Sequence, residues 1–255
     1  MNPRSKIAGW CGVLAGAGLA AESALWTISG WSPDTFANPE AALAFLAEGG
    51  DVLRWAVACG FVNLVFFVLL VTGLAGRLRA THPTLAAGTL WFGMIGTATH
   101  VLVPMSHWYG VPAFLRATAA DPAAAEPAWT AFVIVGHEAA GGAGSLFMGM
   151  SMLLAGCALV RSRSRGNDSM PRGSAALGYL GVLAGTATVL TLLAPDTPLS
   201  ALAGALFMPS LGLSIVFRIW AGLALVCADR LPDLRAGHDS KHGRSIENAH
   251  RDVSR

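Results

Sequence analysis

The chain has 255 residues, of which 54% are hydrophobic and only 13% charged, with 17 basic and 15 acidic side chains giving a net charge of +2. An average soluble domain carries about 25% charged residues, so water cannot be the solvent for most of this surface, and a mean hydropathy of +0.55 agrees. The same composition excludes intrinsic disorder, a disulfide-stapled secreted module and a nucleic-acid binder, and the expected class is an all-α, polytopic integral membrane protein.

A helix needs about 20 predominantly apolar residues to cross the hydrocarbon layer. Six such segments follow one another along the chain: 7–26, 52–74, 85–105, 129–160, 175–194 and a stretch from Leu199 to Val226 interrupted by Pro209. Because proline removes a backbone donor and clashes with the preceding turn, the last stretch is read as a short outer helix over 199–208 and a true span over 209–228. The six-helix domain therefore occupies residues 1–228. Residues 229–255, rich in charge, Gly, Ser and His, read as a disordered cytoplasmic tail that contacts anionic lipid heads.

Charge placement orients the bundle. Arg4, Lys6, Arg77, Arg79, Arg161, Arg163, Arg165, Arg172 and six basic residues from Arg230 to Arg255, 14 of the 17, fall on the side of the termini. By the positive-inside rule that side is cytoplasmic. A signal peptide is the competing reading of the first segment, but its apolar run is long for a signal core, and removing it would leave five spans. Trp26, Trp31, Trp55, Trp108 and Trp129 are placed at the outer interface as an aromatic belt and Trp10 at the inner one.

Between the first two spans, Asn38-Pro39-Glu40 has the composition of a helix start and Gly49-Gly50 that of a stop. Leu43, Phe45 and Leu46 would then rest on the membrane surface or on the bundle as a lid. Small residues four apart mark the close-packing faces: Gly12, Gly16 and Ala20; Gly141, Ser145 and Gly149; Gly181 and Gly185. The strings Gly9–Gly16 and Gly178–Gly185 are alike, which leaves open an internal repeat. Cys11, Cys59, Cys157 and Cys227 lie in or at the ends of spans without a CxxC pair and read as small buried hydrophobes; Met148, Met150 and Met152 read as packing residues.

Ionisable and amide side chains within spans are the default functional candidates. They are Glu22 on the first span, Asn63 on the second, His100 on the third, His137 and Glu138 on the fourth, and Arg218 on the sixth. His107 follows just past the outer end of the third. With a rise of about 1.5 Å per residue, Glu22, His100 and His137 fall at similar depths below the outer surface, so one outward-facing site is geometrically open to them. His100 and His137 could hold a haem iron, or a transition metal with Glu22 or Glu138. A hydrogen-bonded network that fixes packing is the preferred alternative, because no HExxH or paired-carboxylate motif accompanies them. Arg218 has no carboxylate evident at its depth. Its expected course is to snorkel toward the cytoplasmic interface; freed backbone carbonyls or an anionic head group are the alternatives.

The stretch Phe147-Met148-Gly149, then Gly156, Leu159, Arg161-Ser162, Pro171-Arg172 and Leu177-Gly178 resembles the pattern of an uncharacterised bacterial six-helix integral membrane family, catalogued as domain of unknown function forty-three eighty-six. Lys6-Ile7-Ala8-Gly9 resembles that family's start, and His137 falls where many members carry a histidine. The likeness implies six spans and a bacterial inner-membrane location, and it supplies no catalytic residues. The favoured function is a non-enzymatic small-ligand, lipid-handling or regulatory membrane protein, with membrane lipids and a small molecule in an outward-facing cavity as partners, no nucleic acid and no cofactor. The rivals are a membrane oxidoreductase or metalloenzyme with haem or metal at His100 and His137, and a small-solute transporter using Arg218 and a proline-broken sixth helix.

Overall fold

The computed structural model describes residues 3–30, 39–121, 125–164, 174–193 and 200–228; the tail expected after 228, Trp31 and the expected capping residue Asn38 lie outside them. The elements are α1 (Pro3–Ile28), α2 (Pro39–Glu48), α3 (Gly50–Leu78), α4 (Pro83–His100), α5 (Leu102–Met105), α6 (Val111–Ala120), α7 (Ala125–Ala131), α8 (Ala140–Ser164), α9 (Ser174–Leu193) and α10 (Ser200–Ala228). Six helices are long and apolar enough to cross a membrane: 5–28, 50–78, 83–120, 140–162, 174–192 and 205–227. The fold is thus an all-α, six-span bundle.

The spans close into a ring. α1 lies beside α3 and α10, α3 beside α4, α4 beside α8, α8 beside α9, and α9 beside α10, so the first and last helices meet. α3 also touches α8 and α10 across the middle, where Leu64, Phe67, Leu70, Met152, Leu177 and Phe217 form the main core. Apolar side chains gain little by leaving lipid for a neighbouring helix, so close main-chain approach must hold the ring. It does so at glycines. A Cβ on Gly12 would lie 2.8 Å from Gly222 Cα, one on Gly156 would lie 2.6 Å from Gly178 O, and one on Gly96 would lie 2.7 Å from Met148 N. Gly16, Gly149, Gly181 and Gly185, expected as packing positions, are likewise in contact with a neighbouring helix.

Hydroxyls inside the layer have no water to bond, so they turn to the helix itself. Thr72, Thr89, Thr97, Thr188 and Ser162 each donate to the carbonyl four residues back at 2.8–2.9 Å. Ser151 Oγ instead crosses to Thr89 O at 2.7 Å and pins α8 to α4. Met148 and Met152, four apart, share the buried face while Met150 is half-buried, as packing residues should be. The cysteines are all unpaired, but of the four expected to be buried only Cys11 is; Cys59 and Cys157 are half-buried and Cys227 is exposed at the end of its span.

Two expectations are corrected. Pro209 does not divide the last span: α10 runs unbroken from Ser200 to Ala228. The third span does not end at 105 either. The chain stays helical to Ala120 through a π-helical stretch, Ser106–Gly110, inserted between Pro104 and Pro112. Each proline removes a donor, and a widened turn accommodates the mismatch without ending the helix. A second π-helical stretch, Phe132–Ala139, joins α7 to α8 and faces the first, with a Cβ on Gly136 reaching Ser106 Oγ at 2.9 Å.

The segment Pro39–Glu48 forms the expected helix, and it packs on the bundle. Ala42 and Leu46 join Leu53, Phe114 and Trp129 in a second apolar core at the end of the bundle where α1 finishes and α3 begins, with Trp26, Phe45, Val111 and Phe132 against it. Gly30 (φ 82°) and Gly50 (φ 43°) terminate α1 and redirect the chain from α2 into α3, in backbone conformations that L side chains resist. The belt is correspondingly thinner than expected. Trp129 is buried and Trp26 half-buried inside this second core, whereas Trp10, Trp55 and Trp108 are exposed.

Candidate functional site

On α3 the residues Gly60, Asn63 and Phe67 recur at spacings of three and four, and so form one helix face. α1 lays Gly18 and Glu22 on that face. A Cβ on Gly18 would lie 3.0 Å from Asn63 N, and one on Gly60 would lie 2.7 Å from Glu22 Oε1. The missing side chain at Gly60 is what admits the carboxylate. Asn63 is 3% exposed and its side chain hydrogen-bonds Glu22.

Arg218 enters from α10. It is 3% exposed, its Nη1 donates to Asn63 Oδ1, and its guanidinium lies over the Phe67 ring, 4.5 Å from the centroid. A guanidinium only donates and a carboxylate only accepts, so the amide must turn Oδ1 to Arg218 and its NH2 to Glu22. Asn63 is therefore an adapter between a cation and an anion from two other helices. Arg218 and Glu22 interact electrostatically through it. They make no direct salt bridge; among the described residues that contact occurs between the exposed Arg54 and Asp51. Arg218 Nε has no hydrogen-bond partner among the described residues.

This corrects the expected course of Arg218. It does not snorkel to an edge of the bundle, and Asn63 links it to a carboxylate. Its backbone is level with Gly12, whose Cβ would lie 3.0 Å from Arg218 O, while Glu22 is ten residues farther along α1. The side chain bridges part of that offset and Asn63 the rest. Phe67, which closes one face of the guanidinium, was not anticipated; its position four residues after Asn63 was the available signal.

The other candidates lie elsewhere. His100 sits on the seam between α4 and α8, with Nδ1 3.3 Å from Gly141 O and 3.4 Å from Ser145 Oγ. With the proton on Nδ1 the ring donates to the Gly141 carbonyl; with Nδ1 unprotonated it accepts from the Ser145 hydroxyl. His107 lies within the π-helical stretch, buried with its ring edge-on to Trp26 and Phe132 at centroid distances of 5.3 and 5.4 Å. It belongs to the second core. His137 and Glu138 lie on the opposite π-helical stretch, and their side chains fall outside the described set. The site that forms thus unites Glu22, Asn63 and Arg218 and leaves His100 apart from them. Among the described residues no three His, Cys, Asp or Glu side chains come together in a way that could hold a metal ion.

Six spans around a buried cation and amide and a half-buried carboxylate define a multi-pass membrane bundle with a charged interior. The family model for a domain of unknown function, DUF4386, matches residues 14–221, and the chain belongs to that family. No curated protein and no solved structure matches it.

Proposed function

We propose that the chain is a non-enzymatic, ligand-responsive protein of the bacterial cytoplasmic membrane, with both termini inside, whose working element is the Glu22–Asn63–Arg218 network. The observation that carries this reading is Arg218 itself. A guanidinium buried inside a spanning bundle is costly, and such groups mark ligand or ion sites far more often than packing requires them. The glycine contacts already supply helix association, so the network is not needed to hold the ring. The concentration of basic residues on the terminal side supports the orientation.

Thermal unfolding in lipid nanodiscs against a panel of neutral, cationic and anionic small molecules tests the reading. A saturable rise in melting temperature that Arg218→Lys or Glu22→Gln alters is expected. A panel that leaves the melting temperature unchanged throughout would refute it.

One observation favours a second reading. An Nδ1–H held by a main-chain carbonyl is how proteins commonly orient a histidine that ligates metal through Nε2, and the Gly141 carbonyl lies 3.3 Å from His100 Nδ1, placed to do so in that tautomer. Haem or a transition metal at His100 and His137 would show in the absorption spectrum and metal content of the purified protein and would vanish in His100→Ala. Colourless, metal-free protein would end this reading.

A further inference from the structure

The Arg218 guanidinium has one hydrogen-bond acceptor and one ring contact, and its Nε is buried without a partner among the described residues. Nη1 is taken by Asn63 Oδ1, the Phe67 ring covers one flat side, and the aliphatic stem runs back to α10. The remaining edge, Nε–H with Nη2–H, is the fork that grips a carboxylate or phosphate through two parallel hydrogen bonds. Nε has no partner among the described residues although Arg218 is only 3% exposed. Glu22, the nearest anion, reaches Arg218 through Asn63 and makes no direct salt bridge with it. An unpaired, desolvated N–H is a standing cost that a bound oxyanion removes.

We propose that this open edge of Arg218 binds the oxyanion head of a small ligand, a carboxylate or a phosphate, in the bundle interior beside Asn63 and Phe67. Ser214, buried one turn away on the same face of α10, supplies a further hydroxyl donor. The proposal rests on the ligand-binding reading above and names its chemical class. It also gives Glu22 a part: as a like charge close to the bound head, it weakens binding and speeds release. Glu22 and the ligand are rivals for one cation, so the carboxylate is an antagonist within the site.

The test uses the full chain in phosphatidylcholine nanodiscs, titrated with acetate, palmitate, inorganic phosphate and, as the uncharged control, acetamide, with melting temperature and calorimetric Kd as readouts. At least one oxyanion is expected to bind saturably and acetamide not to bind. Binding of palmitate alone would identify a lipid-derived acid, and binding of acetate or phosphate an aqueous solute; either supports the shared head-group chemistry. Glu22→Gln is expected to tighten binding at least tenfold, as follows from removing a like charge that lies beyond both Asn63 and the guanidinium, roughly 10 Å away, at an effective dielectric of about 20. Arg218→Lys, which keeps the charge and loses the fork, is expected to weaken it about tenfold or more; should that variant fail to fold, Glu22→Gln carries the test. Equal affinity in wild type and Glu22→Gln, or undiminished binding by folded Arg218→Lys, would overturn the proposal. If oxyanions fail while a neutral or cationic compound of the wider panel binds, the anion assignment falls and the ligand-binding reading stands; if nothing binds, both fall.

Discussion

Replacing Glu22 by Gln and Arg218 by Met, singly and together, measures whether the two charges act as one unit. They face each other across the Asn63 amide. Two hydrogen bonds and the width of an amide place the charged atoms roughly 7 Å apart. At an effective dielectric of about 20, unit charges at that distance attract by about 2 kcal/mol. Arg218→Met leaves a half-buried carboxylate without its cation, and Glu22→Gln leaves a cation that is 3% exposed without its anion. Each single change removes the same attraction. The double variant should therefore be less damaged than the sum of the singles by about 2 kcal/mol, the coupling that a double-mutant cycle isolates. Reversible unfolding in mixed micelles, followed by tryptophan fluorescence, supplies the four free energies. A coupling below about 0.5 kcal/mol, the range in which independent sites add, would refute the bridged network.

Other parts of the fold give equally direct expectations. Gly222→Ala places a Cβ 2.7 Å from Val13 N and should cost about 1–3 kcal/mol as α1 and α10 are forced apart. Gly142→Ala, with nothing within 4 Å of its Cβ, should leave stability unchanged or raise it by up to about 1 kcal/mol through helix propensity; equal losses in the same unfolding assay would refute the close-approach account. Trp129→Ala should empty the second core and raise hydrogen exchange in α2 at least tenfold, while exchange at the centre of α3 stays slow. Uniform exchange in both helices would show that the two cores are not separate. A variant whose remaining cysteine is Cys227, exposed at the end of the last span, should react with a membrane-impermeant maleimide in inside-out vesicles and not in intact cells; the reverse pattern would invert the proposed orientation.

Hydropathy made the six spans legible because the bilayer imposes a length on every crossing, and Gly49-Gly50 announced the end of the lid helix. What hydropathy could not supply is rotation. Asn63 and Arg218 are 155 positions apart, and whether they meet depends on how α3 and α10 turn about their axes, which is set by their close contacts with Gly18 and Gly12 of α1. The depth estimate for Arg218 counted along its own helix and neglected the reach of the side chain, so Glu22 looked too distant. The third span outran its expected end at 105 for a different reason: a widened turn between Pro104 and Pro112 keeps the main chain bonded to itself and carries the helix on to Ala120. Trp129 was assigned to the interface from its place near a span end; its burial follows from α2 folding over it.

The contact between α1 and α10 also bears on how the protein is made. Helices are delivered to the membrane in chain order, so Glu22 and Asn63 arrive long before Arg218, and the glycine face of α1 that receives Gly222 waits until the last helix. During that interval the carboxylate has an amide but no cation. α10 in turn carries a guanidinium near the middle of its apolar stretch, a sequence that enters lipid reluctantly alone and readily beside a waiting acceptor. Completion of the ring and neutralisation of the interior are thus the same event in assembly. A nascent chain stopped before α10 presents a bare glycine seam and an unpaired acid, the marks by which membrane quality control would know it as unfinished.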